Sequence, residues 1–210
     1  MSMKRIAAKL DVAVSSVSRW TGDIVLTPAQ QQRLRDSNPR FNGQLSGQIG
    51  RSRSARAVRV AAQTEGRSLA QRGELLHIQG CMLYWAEGSK ERNTAVLTNS
   101  DPDLLKLFVT FLRQCYAVSD AKLAFSVNCH LDNGLQLDDI ETWWLDRLEL
   151  PMSCLRQATV NRPSGASVMR RGHVLPYGTA RVSVCSVQVI QSIYGAIQEY
   201  AGIDRPEWLD

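Results

Sequence analysis

His77-Ile-Gln-Gly-Cys-Met-Leu-Tyr-Trp-Ala-Glu-Gly-Ser-Lys90 is an apolar run that closes on an acidic residue and a glycine. Taken as a helix, it places Gly80, Leu83, Tyr84 and Glu87 at i, i+3, i+4 and i+7, so one small residue, two large apolar ones and a carboxylate share a face. Gly88 then supplies the stop. The small residue lets a second helix approach closely, and Gly80, Leu83 and Tyr84 are the expected contact between two copies. Two carboxylates meeting at the end of such a contact repel unless a cation joins them.

Around this helix lies enough chain for one good core and a small appendage: 210 residues, 44% hydrophobic and 21% charged. No apolar run approaches the roughly 20 residues a bilayer requires, and the opening Met-Ser-Met-Lys-Arg-Ile has no apolar leader segment. A cytoplasmic protein with no membrane partner is the expectation. The five cysteines, at 81, 115, 129, 154 and 185, are odd in number and form no C-x-x-C pair, which argues against a disulfide frame and a structural zinc site.

Charge divides the chain. Residues 1–72 hold 13 Lys and Arg against 4 acids, a balance of +9, whereas residues 73–210 hold 12 against 16, a balance of −4. The basic end is therefore a candidate polyanion-binding arm.

That arm has its own pattern. Lys4 to Trp20 reads as a short helix, a tight turn around Asp11 to Ala13, and a second helix from about Ser15, with Ile6, Leu10, Val12, Val17 and Trp20 as a miniature core. The run Val-Ser-Ser-Val-Ser-Arg-Trp resembles the recognition helix of the helix-turn-helix in resolvases and many bacterial regulators, with Asp11 where those have Gly in the turn. The resemblance implies that Ser15, Ser16, Ser18 and Arg19 face the major groove, Arg19 toward guanine or phosphate. Thr27-Pro28 is an N-cap with Pro at the first helical position, so a third helix from Ala29 to about Arg35 completes a domain of residues 1–38.

Residues 39–73 read as a basic linker. Seven Arg occur between Arg40 and Arg72 with Glu65 as the lone acid, and no Pro from 40 to 72 prevents a helix from about Ala55 onward. Arg51, Arg53, Arg56 and Arg59 are candidates for neutralising phosphates, which makes binding steeply salt dependent.

Residues 74–210 form the third region. Thr94 to Ser100 is β-prone; Ser100-Asp-Pro-Asp caps a helix reaching about Tyr116; Lys122 to Leu131 alternates as a strand; Leu137 to Leu148 is an amphipathic helix. Gly178 to Val187 is a strand and Gln188 to Ala201 the closing helix. Between them, residues 156–177 turn basic and Gly-, Ser- and Pro-rich, a loop or hairpin that brings Arg170 and Arg171 to a polyanion. The fold class is α+β.

Gly80 to Gly88 resembles the signature helix of the LAGLIDADG homing endonucleases, Ala86-Glu87-Gly88 matching its acidic ending and Met82 standing where that family has Gly. The whole chain looks like a bacterial family of uncharacterised proteins that joins a helix-turn-helix to a LAGLIDADG-like domain. The resemblance implies an αββαββα domain, Glu87 as ligand of Mg²⁺, and a homodimer that brings two Glu87 side chains over double-stranded DNA. It also implies basic helpers near the metal, for which Lys122 and Arg181 are the candidates with Lys90 beside them. A divalent-metal-dependent DNA endonuclease is one expected function. The alternative is a helix-turn-helix transcription regulator that keeps the fold without the reaction, and a third is a protein-interaction module presenting Trp143 and Trp144.

Overall fold

The computed structural model describes residues 3–36, 39–131, 134–161 and 175–209, with the backbone alone at 35 and 39–48. The described chain is α+β, eight α-helices and a four-stranded mixed sheet, and it divides into two compact units, Met1–Ala55 and Arg56–Asp210.

The first unit opens with α1, Met3–Leu10, and α2, Val14–Trp20. Asp11 joins them at φ 52°, the left-handed conformation that ends a helix and that the short Asp side chain tolerates, and the Val12 amide turns back to the Ala7 carbonyl at 3.1 Å. Ala7 and Val17 are buried where the two helices meet. The expected miniature core is smaller than its sequence suggested. Ile6 and Val12 are half-buried, whereas Leu10 and Trp20 are 57% and 60% exposed, because helices of two turns share only one layer of contact. In α3, Pro28–Asp36, the Thr27 hydroxyl accepts from the Gln30 amide and the Gln30 side chain accepts from the Thr27 amide, a reciprocal capping box.

The residues expected as a linker are one helix, α4, Pro39–Ala70, and the boundary between the units falls inside it. Its last turns belong to the second unit. There a Cβ on Gly66 would overlap the Ser192 backbone, and one on Gly195 would overlap the Gln63 backbone, so α4 lies directly against α8, Val187–Ala201. Amide side chains lace the contact: Gln63 donates to Gln191 at 2.8 Å, and Gln198 donates to Gln63 at 3.1 Å. Such buried groups cost stability unless each finds a partner, and here each does.

The remaining elements are α5, Leu75–Glu87; β1, Thr94–Asn99; α6, Pro102–Tyr116; β2, Leu123–Cys129; α7, Leu137–Leu148; β3, Thr159–Val160; and β4, Thr179–Cys185. Asp101 caps α6 by accepting from the amides of Asp103 and Leu104, ahead of Pro102 at the first position. The sheet order is β1-β4-β2-β3, with β4 antiparallel to β1 and β2, and β3 parallel to β2. Period-two alternation sends Leu123, Phe125, Val127, Ala180, Val182 and Val184 into the core. The element order differs from αββαββα. Only residues 88–101 separate α5 from α6, room for β1 and a loop whose Gly88 makes a single bridge to Leu97, and α7 stands between β2 and the last strands.

Candidate nucleic-acid interface and the helix-end carboxylate

Helix α2 turns Val17 inward, and the residues one side away from it outward. Ser15, Ser18 and Arg19, at i, i+3 and i+4, are exposed together, and Ser16 is half-buried beside Val17. Arg19 lies in the last turn of α2, where the helix dipole favours a cation, and α2 itself contains no acidic residue.

Arg51 and Arg53 stand two residues apart within the first unit, so at 3.6 residues per turn they point to nearly opposite sides of the helix. Arg51, Arg53 and Arg56 are exposed. Arg59 is 9% exposed and donates through Nε to the Leu209 carbonyl at 2.6 Å, so it holds the C-terminal tail, and the expectation that it meets phosphate is corrected. Arg170 and Arg171 lie outside the described residues.

Glu87 is the last residue of α5 and is exposed. Gly88 ends the helix in an extended conformation, φ −71°, not a left-handed one; a Cβ there would strike the Tyr84 ring and carbonyl, so closeness requires the glycine. Lys90 folds back over this end, its ammonium donating to the carbonyls of Gly88 at 2.7 Å, Trp85 at 2.9 Å and Tyr84 at 3.4 Å. Burial lowers its pKa and the nearby Glu87 carboxylate opposes that shift. Lys90 thus supplies the donors that α5 lacks, a role in the fold. The loop beyond is fastened in the same way. The Tyr84 hydroxyl donates to the Ser89 carbonyl and accepts from the Val96 amide, Tyr194 donates to the Glu91 carbonyl, and Gln191 donates to the Arg92 carbonyl.

The face of α5 expected to meet a second copy is filled by the chain itself. Gly80 takes the Phe111 ring where a Cβ would be, Tyr84 is fully buried with its ring 5.8 Å from that of Phe108, and Leu83 is half-buried against the same core. The close approach that Gly80 permits is used by α6, which corrects the expected dimer contact through Gly80, Leu83 and Tyr84. Among the described residues no group of three or more His, Cys, Asp or Glu is placed to hold a metal ion, and the donor set around Glu87 does not fit a Mg²⁺ site in one chain.

Nor are the basic helpers gathered. Arg181 is exposed in the middle of β4, level with Thr98 and Ser126, on the sheet face away from the core; it is the lone charged side chain in the four described strands. Lys122 precedes β2, level with Cys185 by continuation of the Leu123–Val184 pairing, four residues along β4 and so roughly 13 Å from Arg181. The tryptophans are likewise engaged at home. Trp144 is fully buried and donates to the Tyr177 carbonyl, while the Trp143 ring stacks on that of Tyr177 at 4.0 Å, with Arg147 5.2 Å from its centroid.

Two constellations were not legible beforehand. His77 is buried between hydroxyls, Nδ1 2.7 Å from Tyr200 and Nε2 3.2 Å from Tyr116, and burial lowers its pKa. The other is a cavity of about 420 Å³ in the second unit, with Glu65 and Lys122 at its lining. Neither has a local motif, since each draws residues from three or more elements. No family model, no curated protein and no solved structure matches the chain.

Proposed function

We propose that this chain is a double-stranded DNA-binding protein that reads DNA with α2 as the recognition helix of a helix-turn-helix, acting as a regulator. The observation that carries the reading is the α1–turn–α2 geometry: the left-handed Asp11 and the burial of Ala7 and Val17 leave Ser15, Ser18 and Arg19 on one open face. The +9 balance of residues 1–72 supports it, because phosphate neutralisation by Arg51, Arg53 and Arg56 supplies affinity that carries no sequence information. The resemblance of Gly80 to Gly88 to the LAGLIDADG helix supports kinship of the second unit with that family. The Gly80 face filled by Phe111 supports a DNA-binding use of that kinship ahead of phosphodiester hydrolysis by a homodimer joined at that face.

The test is affinity selection of the full chain on a random pool of double-stranded DNA, followed by titration of the enriched sequence. Arg19→Ala should weaken the enriched sequence by about tenfold, the range of one lost base or phosphate contact, and should flatten discrimination at one position. Glu87→Gln should leave affinity unchanged. Absence of any salt-dependent affinity, or an Arg19→Ala protein that binds like the parent, sinks the reading. Discrete Mg²⁺-dependent breaks that vanish in Glu87→Gln would replace it with the endonuclease.

A further inference from the structure

The cavity of about 420 Å³ is lined by α4, by the α6 C-terminus with the turn that follows it, and by the junction of β4 and α8, all within the second unit. Its volume falls in the range of small-molecule sites, roughly 300–1,000 Å³. Three kinds of surface meet there. Leu69, Val118, Val184 and Val189 make an apolar wall. Glu65 and Lys122, both exposed, put one carboxylate and one ammonium on the same lining, and among the described residues neither side chain makes a hydrogen bond or an ion pair, with the other or elsewhere. Ser186 and Gln188 bring the first turn of the 15-residue α8, where Ser186 caps the Val189 amide and the amides of Val187 and Gln188 have no acceptor within the helix.

A guest that satisfies all three surfaces carries an anion, a cation and an apolar body on one small frame. A carboxylate suits the ammonium of Lys122 and the positive end of α8 together. An ammonium suits Glu65. We propose that this cavity binds a free α-amino acid with an apolar side chain, its carboxylate toward Lys122 and the first turn of α8, its ammonium toward Glu65, and its side chain against the apolar wall. The site is independent of the nucleic-acid reading, since it lies wholly in the unit that lacks α2, and its test contains no DNA.

The full chain, labelled with ¹⁵N, is titrated with L-leucine, L-methionine and L-phenylalanine, and then with phenylalaninamide and N-acetyl-L-phenylalanine. Saturable shifts are expected at the amides of Leu69, Val118, Gln188 and Val189. Each blocked analogue should bind at least about tenfold more weakly than its parent, the cost of losing one charge-assisted contact. Lys122→Gln should weaken L-phenylalanine while leaving phenylalaninamide unchanged, and Glu65→Gln should weaken L-phenylalanine while leaving the N-acetyl form unchanged. Both side chains are exposed, so neither substitution threatens folding. Failure of all three amino acids to give saturable shifts at these amides overturns the proposal, as does equal binding of the blocked analogues or indifference of both variants.

Discussion

Gly80 and His77 share one turn of α5 and are constrained by different physics. A Cβ at position 80 would overlap the Phe111 ring, and that ring is fully buried, so it has nowhere to retreat. Gly80→Ala should cost about 1–3 kcal/mol through overpacking, seen as a lower urea midpoint with an unchanged slope. Burial disfavours the imidazolium of His77 and lowers its pKa, with Glu74 opposing that shift and Arg72 adding to it. A depressed pKa in the folded state means that the stabilising difference is present above the ordinary histidine value, about 6.5, and is lost as pH falls below it through the folded value. The melting temperature should therefore fall between pH 7 and 5, and fall less in His77→Gln; identical pH profiles would remove His77 as the cause. Residue identities in this helix were legible as a pattern. The small residue, the acidic end and the glycine stop all stand where the spacing places them, but the sequence does not say whether α6 or a second copy enters at Gly80. That choice depends on Phe111, 31 residues away, and sequence spacing carries no such distance.

Helix α4 shows the same limit at the scale of an element. Its composition of Arg, Gln, Gly and Ser reads as solvated linker, yet its last turns are built into the second unit. The reason is that the α4–α8 contact is made by missing side chains and by amides, which a search for apolar periodicity passes over. Gly66 and Gly195 bring backbone against backbone, with Gln63, Gln191 and Gln198 bonded around them. Since the colliding atoms are backbone, Gly195→Ala should be more damaging than Gly80→Ala, by about 2 kcal/mol or more, and should free the tail that Arg59 and Gln191 fasten at Leu209 and Trp208. Hydrogen exchange at residues 203–209 reads the second effect. At the end of α5, Lys90→Ala should cost about 1 kcal/mol by leaving the Trp85 and Gly88 carbonyls to water, while the Tyr84 carbonyl keeps the Gly88 amide, without altering DNA affinity. Elements with side-chain caps were the most legible: Asp101-Pro102 opens α6 and Thr27-Pro28 opens α3, because a cap acts within four residues and needs no tertiary partner.

At the scale of the whole molecule the apolar core is unevenly shared. Among the described residues only Ala7 and Val17 are buried apolar side chains in Met1–Ala55, whereas Arg56–Asp210 buries the aromatic and aliphatic cluster around Tyr84, Phe108, Phe111, Phe125 and Trp144. A fragment of residues 56–210 should unfold cooperatively near the melting temperature of the full chain, and a fragment of residues 1–55 should show no cooperative transition by circular dichroism. A non-cooperative 56–210 fragment would show that the larger unit depends on the smaller. By itself the sequence determined the α+β class, the caps that open α3 and α6, the strands β2 and β4, the basic and acidic division of the chain, and the polar residues of α2 that stay exposed. Each of these follows from chemistry within a few residues or from a period of 2 or 3.6. Only the tertiary structure decided that Gly80 serves α6, that Lys90 and Arg59 place their charges on carbonyls of the fold, that Lys122 and Arg181 stand four residues apart along β4, and that Glu65 and Lys122 share a cavity. Those outcomes depend on which distant segments are packed together, and a charge or a glycine has no meaning for function until its neighbours are in place.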